Sequence, residues 1–229
     1  MSTDKLKNAP SLQHLVRMIR PTAAEIAREI VAPKPTIRVF DANRYVRAVF
    51  SGMSPEQAMA NAANDSNPHA RKTALEVIPL IAQYLKENDV RWFRPISPIL
   101  HQVSPSVRIP IKPLGIARVG DKIVVLWPQL WKTISLTPDQ YNLFASYMKY
   151  GVLEKFPDYD DFHWLEMSVP KGQKHRELRV RTVDAAQIYD RSLMSGVEAK
   201  IEEALIIAAG LPKHERPKKP KPPEQDSFL

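Results

Sequence analysis

Four acidic residues lie close together in the second half of the chain, where they could bind a metal ion. Asp158, Asp160 and Asp161 fall within four positions, and Glu166 follows in the next apolar run. Clustered carboxylates are ligands that Mg²⁺ prefers, and enzymes that cleave phosphodiesters use them to hold such ions. These residues are the candidate catalytic set of a metal-dependent nuclease or phosphodiesterase. The alternative is a solvated acidic turn.

The same segment departs from the pattern of restriction-type nucleases, which place Glu-x-Lys after the first aspartate. Ser168 stands where that pattern has lysine. The six histidines show no recognised metal-binding spacing, and the lack of cysteine excludes thiol catalysis and Cys-type zinc sites. The sequence also lacks a phosphate loop and a dinucleotide-binding fingerprint. We therefore expect no cofactor and no bound metal, and the sequence favours a binding role over an enzymatic one.

The helical segment 41–87 is a candidate nucleic-acid-binding unit. Its pattern predicts three helices: Asp41 caps the first, Ser54 caps the second ahead of Pro55, and the third follows the loop 64–68. This arrangement resembles a helix-turn-helix, including those of phage terminase small subunits. The resemblance implies that the third helix presents its first turn to DNA. The residues of that turn that could bind nucleic acid are His69, Arg71, Lys72 and Thr73. The alternative is an ordinary three-helix bundle.

Basic side chains also crowd the tip of a hairpin predicted from strands at 162–169 and 177–183. Polar and apolar residues alternate along the second strand, which puts Arg179 and Arg181 on one face. A ribbon of this kind can lie along phosphates, whereas the alternative is a charged tip that simply faces solvent. The candidate phosphate-binding residues here are Lys171, Lys174, Arg176, Arg179 and Arg181.

The last six residues, 224–229, follow a run of prolines and lysines. Their pattern of Gln-x-Ser-Phe-Leu is similar to the short peptides by which bacterial replication and repair proteins dock on the sliding clamp, although Asp226 replaces the usual apolar or small residue. The resemblance implies a partner-binding motif in which Gln225 is a hydrogen-bonding anchor and Phe228 and Leu229 enter an apolar pocket. The alternatives are another protein partner or no role.

The formal net charge of the 229-residue chain is +8, and most of the excess lies in the terminal segments. Residues 1–40 carry +4 and residues 211–229 carry +2, so the long body between them is nearly neutral. Basic arms on a neutral body favour contact with a polyanion such as DNA; the alternative is that they aid solubility. Because the sequence has no apolar N-terminal run and no apolar stretch of about 18 residues, we expect a cytoplasmic protein without membrane contact.

The candidate residues must be positioned by the fold, and the pattern of elements predicts an α+β class. Residues 1–94 read as a helical subdomain, and the five prolines of 95–113 indicate an extended connector. Residues 114–210 predict two hairpins that form a small antiparallel sheet packed by two helices. The composition of 211–229 predicts a disordered basic tail.

These features together predict a non-enzymatic, DNA-associated accessory protein of a mobile element or of a replication or repair pathway. In this hypothesis the basic helix and hairpin contact phosphates, and the tail recruits a protein partner. The alternative functions are a metal-dependent nuclease and a protein-binding adaptor.

Overall fold

The computed structural model describes residues 11–32, 42–105, 107–133, 136–170 and 172–211, and these form an α+β fold as predicted. The helices in the described part of the chain are α1 (Leu12–Met18), α2 (Ala23–Val31), α3 (Asn43–Phe50), α4 (Pro55–Ala63), α5 (Pro68–Glu87), α6 (Pro138–Met148) and α7 (Arg191–Gly210). The strands are β1 (Val90–Arg94), β2 (Ile99–Ser104), β3 (Val107–Ile111), β4 (Gly115–Val119), β5 (Lys122–Gln129), β6 (Asp161–Ser168) and β7 (Glu177–Arg181). None of the described helices is both long enough and apolar enough to cross a bilayer.

Five of the strands form one mixed sheet in the order β1-β4-β5-β6-β7. The chain turns back between β4 and β5 and again between β6 and β7, which gives the two antiparallel hairpins expected from the sequence. Strands β5 and β6 instead run parallel, with Trp127 opposite Trp164. Parallel neighbours need a crossover connection, and α6 with the π-helical turn Lys149–Leu153 lies in this one.

The sequence does not predict the parallel pair, because local patterns indicate elements and not their order in a sheet. The two hairpins join side by side, so β5 and β6 become central strands that are buried on both faces. The blurred alternation of β6 reflects this position: five consecutive residues from Trp164 to Ser168 are buried. Strands covered on both faces read as nearly continuous apolar runs.

Helices cover both faces of the sheet and divide the core in two. On one face, α3, α4 and α5 pack against alternate sheet residues that include Val124, Leu126 and Leu165. On the other face, α1, α2, α6, α7 and the β2–β3 hairpin pack against the intervening residues Val125, Trp127 and Trp164. The alternation of side chains along the central strands sends successive residues to opposite cores.

Several helices begin where capping residues predict. Thr22 with Glu25 and Thr137 with Gln140 form complete capping boxes at α2 and α6. Ser54 caps α4 by accepting a hydrogen bond from the backbone N–H of Gln57. The cap expected from Asp41 lies outside the described residues, and α3 starts after Ala42 without a side-chain cap.

The proline-rich stretch 95–113 contains more structure than the expected extended connector. Residues Ile99–Ile111 form the antiparallel β2–β3 hairpin, in which Val103, Val107 and Ile109 are buried in a core. Pro110 is accommodated because this two-stranded sheet leaves it an unpaired side. Residues of α3, α4 and α5, which precede this stretch, pack in one apolar cluster with residues of β4, β5 and β6, which follow it.

His101 of this hairpin is partly buried and packs against α6. Its ring meets the ring of Tyr147 edge to face, with the centroids 5.7 Å apart. Among the described residues, neither Nδ1 of His101 nor the hydroxyl of Tyr147 has a hydrogen-bond partner. Burial, with a smaller contribution from the charge of Lys155, lowers the pKa of His101 to about 4. Burial likewise raises the pKa of Tyr147.

These contacts predict a pH-dependent stability. In the unfolded chain His101 takes up a proton near pH 6.5, whereas the folded protein keeps it neutral down to about pH 4. The contribution of neutral His101 to the free energy of unfolding is therefore fully present above pH 6.5 and is lost as the pH falls from 6.5 towards 4. Allowing for partial exposure of the ring, we expect a loss of about 1–2 kcal/mol between pH 6.5 and 4.5.

Urea unfolding of the wild type and of His101→Phe at a series of pH values measures this contribution, because phenylalanine keeps the ring and cannot titrate. The variant should show a flatter stability profile over that pH range. The control is Tyr147→Phe, which should keep the wild-type slope. Identical slopes for wild type and His101→Phe would contradict the assignment.

Candidate nucleic-acid interface

The first turn of α5 presents basic side chains to solvent. Asn67 caps the helix by accepting hydrogen bonds from the backbone N–H groups of His69 and Ala70, and Pro68 occupies the first helical position. His69, Arg71 and Lys72 are exposed in this turn. Thr73 is 9% exposed and points into the helical layer. Three of the four residues predicted at this turn are therefore accessible.

A buried carboxylate holds this helix start in place. Oδ2 of Asp65 accepts hydrogen bonds from the hydroxyl of Tyr45 at 2.9 Å and the guanidinium of Arg44 at 2.6 Å. Its Oδ1 accepts from the backbone N–H of Asn67 at 3.0 Å. The bond from Asn67, then those from Tyr45 and Arg44, outweigh burial and hold the pKa of Asp65 below its ordinary value. Asp65 thus ties α3 to the loop that precedes α5.

Arg176 connects the hairpin tip to α5. Its side chain is only 4% exposed. It donates hydrogen bonds to Oε2 of Glu76 at 2.8 Å and to the backbone carbonyl oxygens of Leu130 and Met167. The sequence predicts that Arg176 binds phosphate, but its guanidinium is occupied by these internal partners. Its role in the described structure is to position the hairpin.

Glu76 also binds a second cation from a third segment. The ammonium group of Lys132, in the loop after β5, lies 2.9 Å from Oε1 of Glu76. Burial opposes ionisation of Glu76, but the hydrogen bonds and charges of Arg176 and Lys132 outweigh it and keep its pKa below the ordinary value. One carboxylate therefore gathers α5, the loop 130–133 and the hairpin tip at a single place.

The surface around Glu76 is positively charged. Lys72 lies one helical turn before Glu76 on the same side of α5, about 6 Å along the axis. Within the described parts of segments 68–76, 130–133 and 172–176 there are five Lys or Arg residues and one acidic residue. We refer to the exposed cations Arg71, Lys72, Lys132 and Lys174 as the basic surface.

Arg179 and Arg181 lie on the other face of the sheet. In the β6–β7 register they are opposite Glu166 and Trp164, whose side chains face the layer that contains α6. Arg181 pairs with the buried Glu166 at 3.2 Å, and its guanidinium lies 5.1 Å from the centroid of the Tyr141 ring. The pleat of β7 thus separates these two arginines from the cations of α5. Lys171, Gln225, Phe228 and Leu229 lie outside the described residues.

The acidic residues predicted as possible metal ligands have structural contacts. Asp160 accepts a hydrogen bond from the backbone N–H of Ile123, and Asp161 accepts from those of Phe162 and Val183. Glu166 accepts from the hydroxyl of Ser168 and pairs with Arg181, while Asp158 is exposed. No group of three or more metal-ligating side chains converges within the described part of the chain.

Sequence reasoning missed Glu76 and Lys132, which organise the basic surface. Each is an ordinary charged residue in its own segment, and no local pattern links positions 76, 132 and 176. The only available signal was the helical spacing of Lys72 and Glu76, which places them on one side of α5.

Comparison with known proteins assigns no family to the chain. No family model and no curated protein matches it. Among solved structures it is similar to a proposed exonuclease from Eubacterium rectale, with 13% identity, a TM-score of 0.48, and coverage of 91% of this chain and 84% of that one. It is also similar to the protein SSO0001, with 11% identity, a TM-score of 0.36, and coverage of 86% and 84%. Neither similarity is strong enough to indicate a function.

Glu76 should matter for stability far more than a typical surface carboxylate. In Glu76→Gln the buried guanidinium of Arg176 loses its charged partner, and we expect a loss of about 2–4 kcal/mol in the free energy of unfolding. Chemical denaturation at pH 7 measures the difference. The control is Glu154→Gln, which breaks the exposed pair with Arg191 and should cost less than about 1 kcal/mol. Equal effects of the two substitutions would contradict the assigned role of Glu76.

Proposed function

We propose that this chain is a non-enzymatic, nucleic-acid-associated accessory protein that contacts phosphates through the basic surface. The observation that carries the proposal is the pairing of Glu76 with both Lys132 and Arg176, which draws three separate segments together. Exposed cations on one surface attract a polyanion, release its counterions and bind its phosphates without reading sequence.

The structural roles of the acidic residues favour this proposal over the nuclease alternative. Asp161 and Glu166 are 3% exposed, and both accept hydrogen bonds from neighbouring protein groups. Carboxylates used in this way stabilise strand ends and have fewer free lone pairs for a metal ion. DNA is the polyanion that we propose, in keeping with the mobile-element, replication or repair context expected from the sequence.

The helix-turn-helix role of α3, α4 and α5 stays a prediction. One side of α5 packs on the sheet, where Val77, Ile78 and Ile81 are fully buried. This packing leaves the first turn and the outer side of the helix for contact with nucleic acid. Contact with phosphates needs only this accessible turn.

Neutralising two cations of the basic surface should weaken DNA binding in a salt-dependent way. We expect Lys72→Ala/Lys174→Ala to lower the affinity at low salt. The negative slope of log K against log salt concentration should also become shallower, by about 0.7–0.9 for each phosphate that the variant no longer neutralises. Fluorescence anisotropy with labelled single-stranded and duplex DNA over a salt series measures both quantities.

The matched control removes two exposed cations elsewhere. Lys122 lies at the opposite end of β5, about 25 Å from the loop 130–133, and Lys200 lies on α7. Lys122→Ala/Lys200→Ala has the same net charge as the test variant and should bind DNA more tightly than it does. If the two double variants lose equal affinity, only net charge matters and the proposed surface is wrong.

We further propose that residues 224–229 recruit a protein partner, with a bacterial sliding clamp as the partner that the sequence resemblance suggests. Phe228→Ala/Leu229→Ala should abolish binding to the purified clamp, because the apolar pair no longer fills its pocket. Ser227→Ala is the control and should retain binding. Surface plasmon resonance at low and at high salt tests this. If the wild type binds no clamp, or binds only at low salt, this part of the proposal fails.

A further inference from the structure

Trp131 lies in the loop 130–133, which also carries Lys132 of the basic surface. It lies two residues after the end of β5 and precedes Lys132 in the chain. The buried side chain of Gln129 accepts a hydrogen bond from the backbone N–H of Trp131 at 2.7 Å and donates one to the carbonyl oxygen of Thr133. Both ends of the loop 130–133 are thus fastened to a residue that is 1% exposed. The indole is therefore held by an ordered backbone.

The indole lies among polar neighbours instead of within the core. It is partly exposed and belongs to neither apolar cluster of the described residues, whereas Trp127 and Trp164 are central to one of them. The guanidinium carbon of Arg17 lies 4.8 Å from the indole ring centroid. The ring of His14 meets the indole edge to face at 5.6 Å. Both neighbours come from α1.

Two cations near the indole suit the backbone of a nucleotide chain. Arg17 is exposed and its guanidinium lies over one face of the indole, and Lys132 is the next residue in the sequence. A base offers a flat π surface, and the phosphates that flank it need positive charge within a few ångströms. Proteins that bind single strands combine these two features, aromatic stacking and a basic track.

We propose that Trp131 is a stacking platform for an unpaired base, and that the basic surface therefore prefers single-stranded nucleic acid to duplex. This inference rests on the proposed function, because Lys132 of the basic surface supplies a phosphate contact together with Arg17. Bases in a duplex are stacked on one another and hide their faces, so a tryptophan can stack only on bases that are free.

The test compares three labelled probes of equal length: a dT₂₀ strand, an rU₂₀ strand and a 20-base-pair duplex. Wild-type protein should bind one or both single strands more tightly than the duplex. Trp131→Ala should weaken single-strand binding about 5- to 150-fold, which corresponds to the loss of one stacked base, and should leave duplex binding within about twofold. Comparison of dT₂₀ with rU₂₀ distinguishes DNA from RNA.

Two further variants separate stacking from a structural role. Trp131→Phe keeps an aromatic ring and should recover part of the affinity, while thermal unfolding verifies that both variants fold. Trp92→Ala removes a tryptophan that is 39% exposed on the edge strand β1, level with the start of β5, and should bind like the wild type. Saturation with dT₂₀ should quench tryptophan fluorescence, and Trp131→Phe should lose most of that quenching.

The outcomes distinguish this inference from the proposal on which it rests. Equal losses of single-strand and duplex binding in Trp131→Ala, or a loss of equal size in Trp92→Ala, would overturn the stacking site. A wild type that prefers duplex would overturn it as well, while the effect of Lys72→Ala/Lys174→Ala would still support the basic surface. If no probe binds at low salt, both proposals fail.

Discussion

Strands β5 and β6 are buried on both faces, and this burial limits where functional groups can lie. Alternate residues of β5 enter different cores: Val124 and Leu126 pack beneath α5, while Val125 and Trp127 pack beneath α6. Apolar burial on this scale is the dominant favourable term in folding. Because both faces are used for packing, the centre of the sheet has little room for exposed polar groups.

Functional groups must therefore lie where the strands end. The C-terminal end of β5 is such a place, and there the buried Gln129 fastens the loop that carries Trp131 and Lys132. The connection from β6 to β7 meets the same region through Arg176. Helix α5 reaches it from the face that it covers, because Glu76 accepts from Arg176 and pairs with Lys132.

The charge balance at this place follows from the cost of burying Arg176. A guanidinium that is largely withdrawn from water needs both an opposite charge and hydrogen-bond acceptors. Glu76 provides the charge and two carbonyl oxygens complete the set. Glu76 is shared by two cations, Lys132 and Arg176. The nearby cations Arg71, Lys72 and Lys174 are therefore not matched by an equal number of acidic residues. The positive surface is thus a consequence of the same ion pairs that hold the hairpin against α5.

Local features could be predicted from the sequence: the α+β class, most helix starts, the β4–β5 and β6–β7 hairpins, and the basic turn of α5. Capping boxes and period-two patterns act over a few residues, so they can be read directly. Long-range packing, in contrast, makes β5 and β6 run parallel, folds 99–111 into a hairpin, and turns Arg179 and Arg181 away from α5. It also makes Arg176 an internal support, while Lys132 joins the surface. The physical reason is distance along the chain: Arg176 lies 100 positions from Glu76 and meets it only after the sheet has assembled.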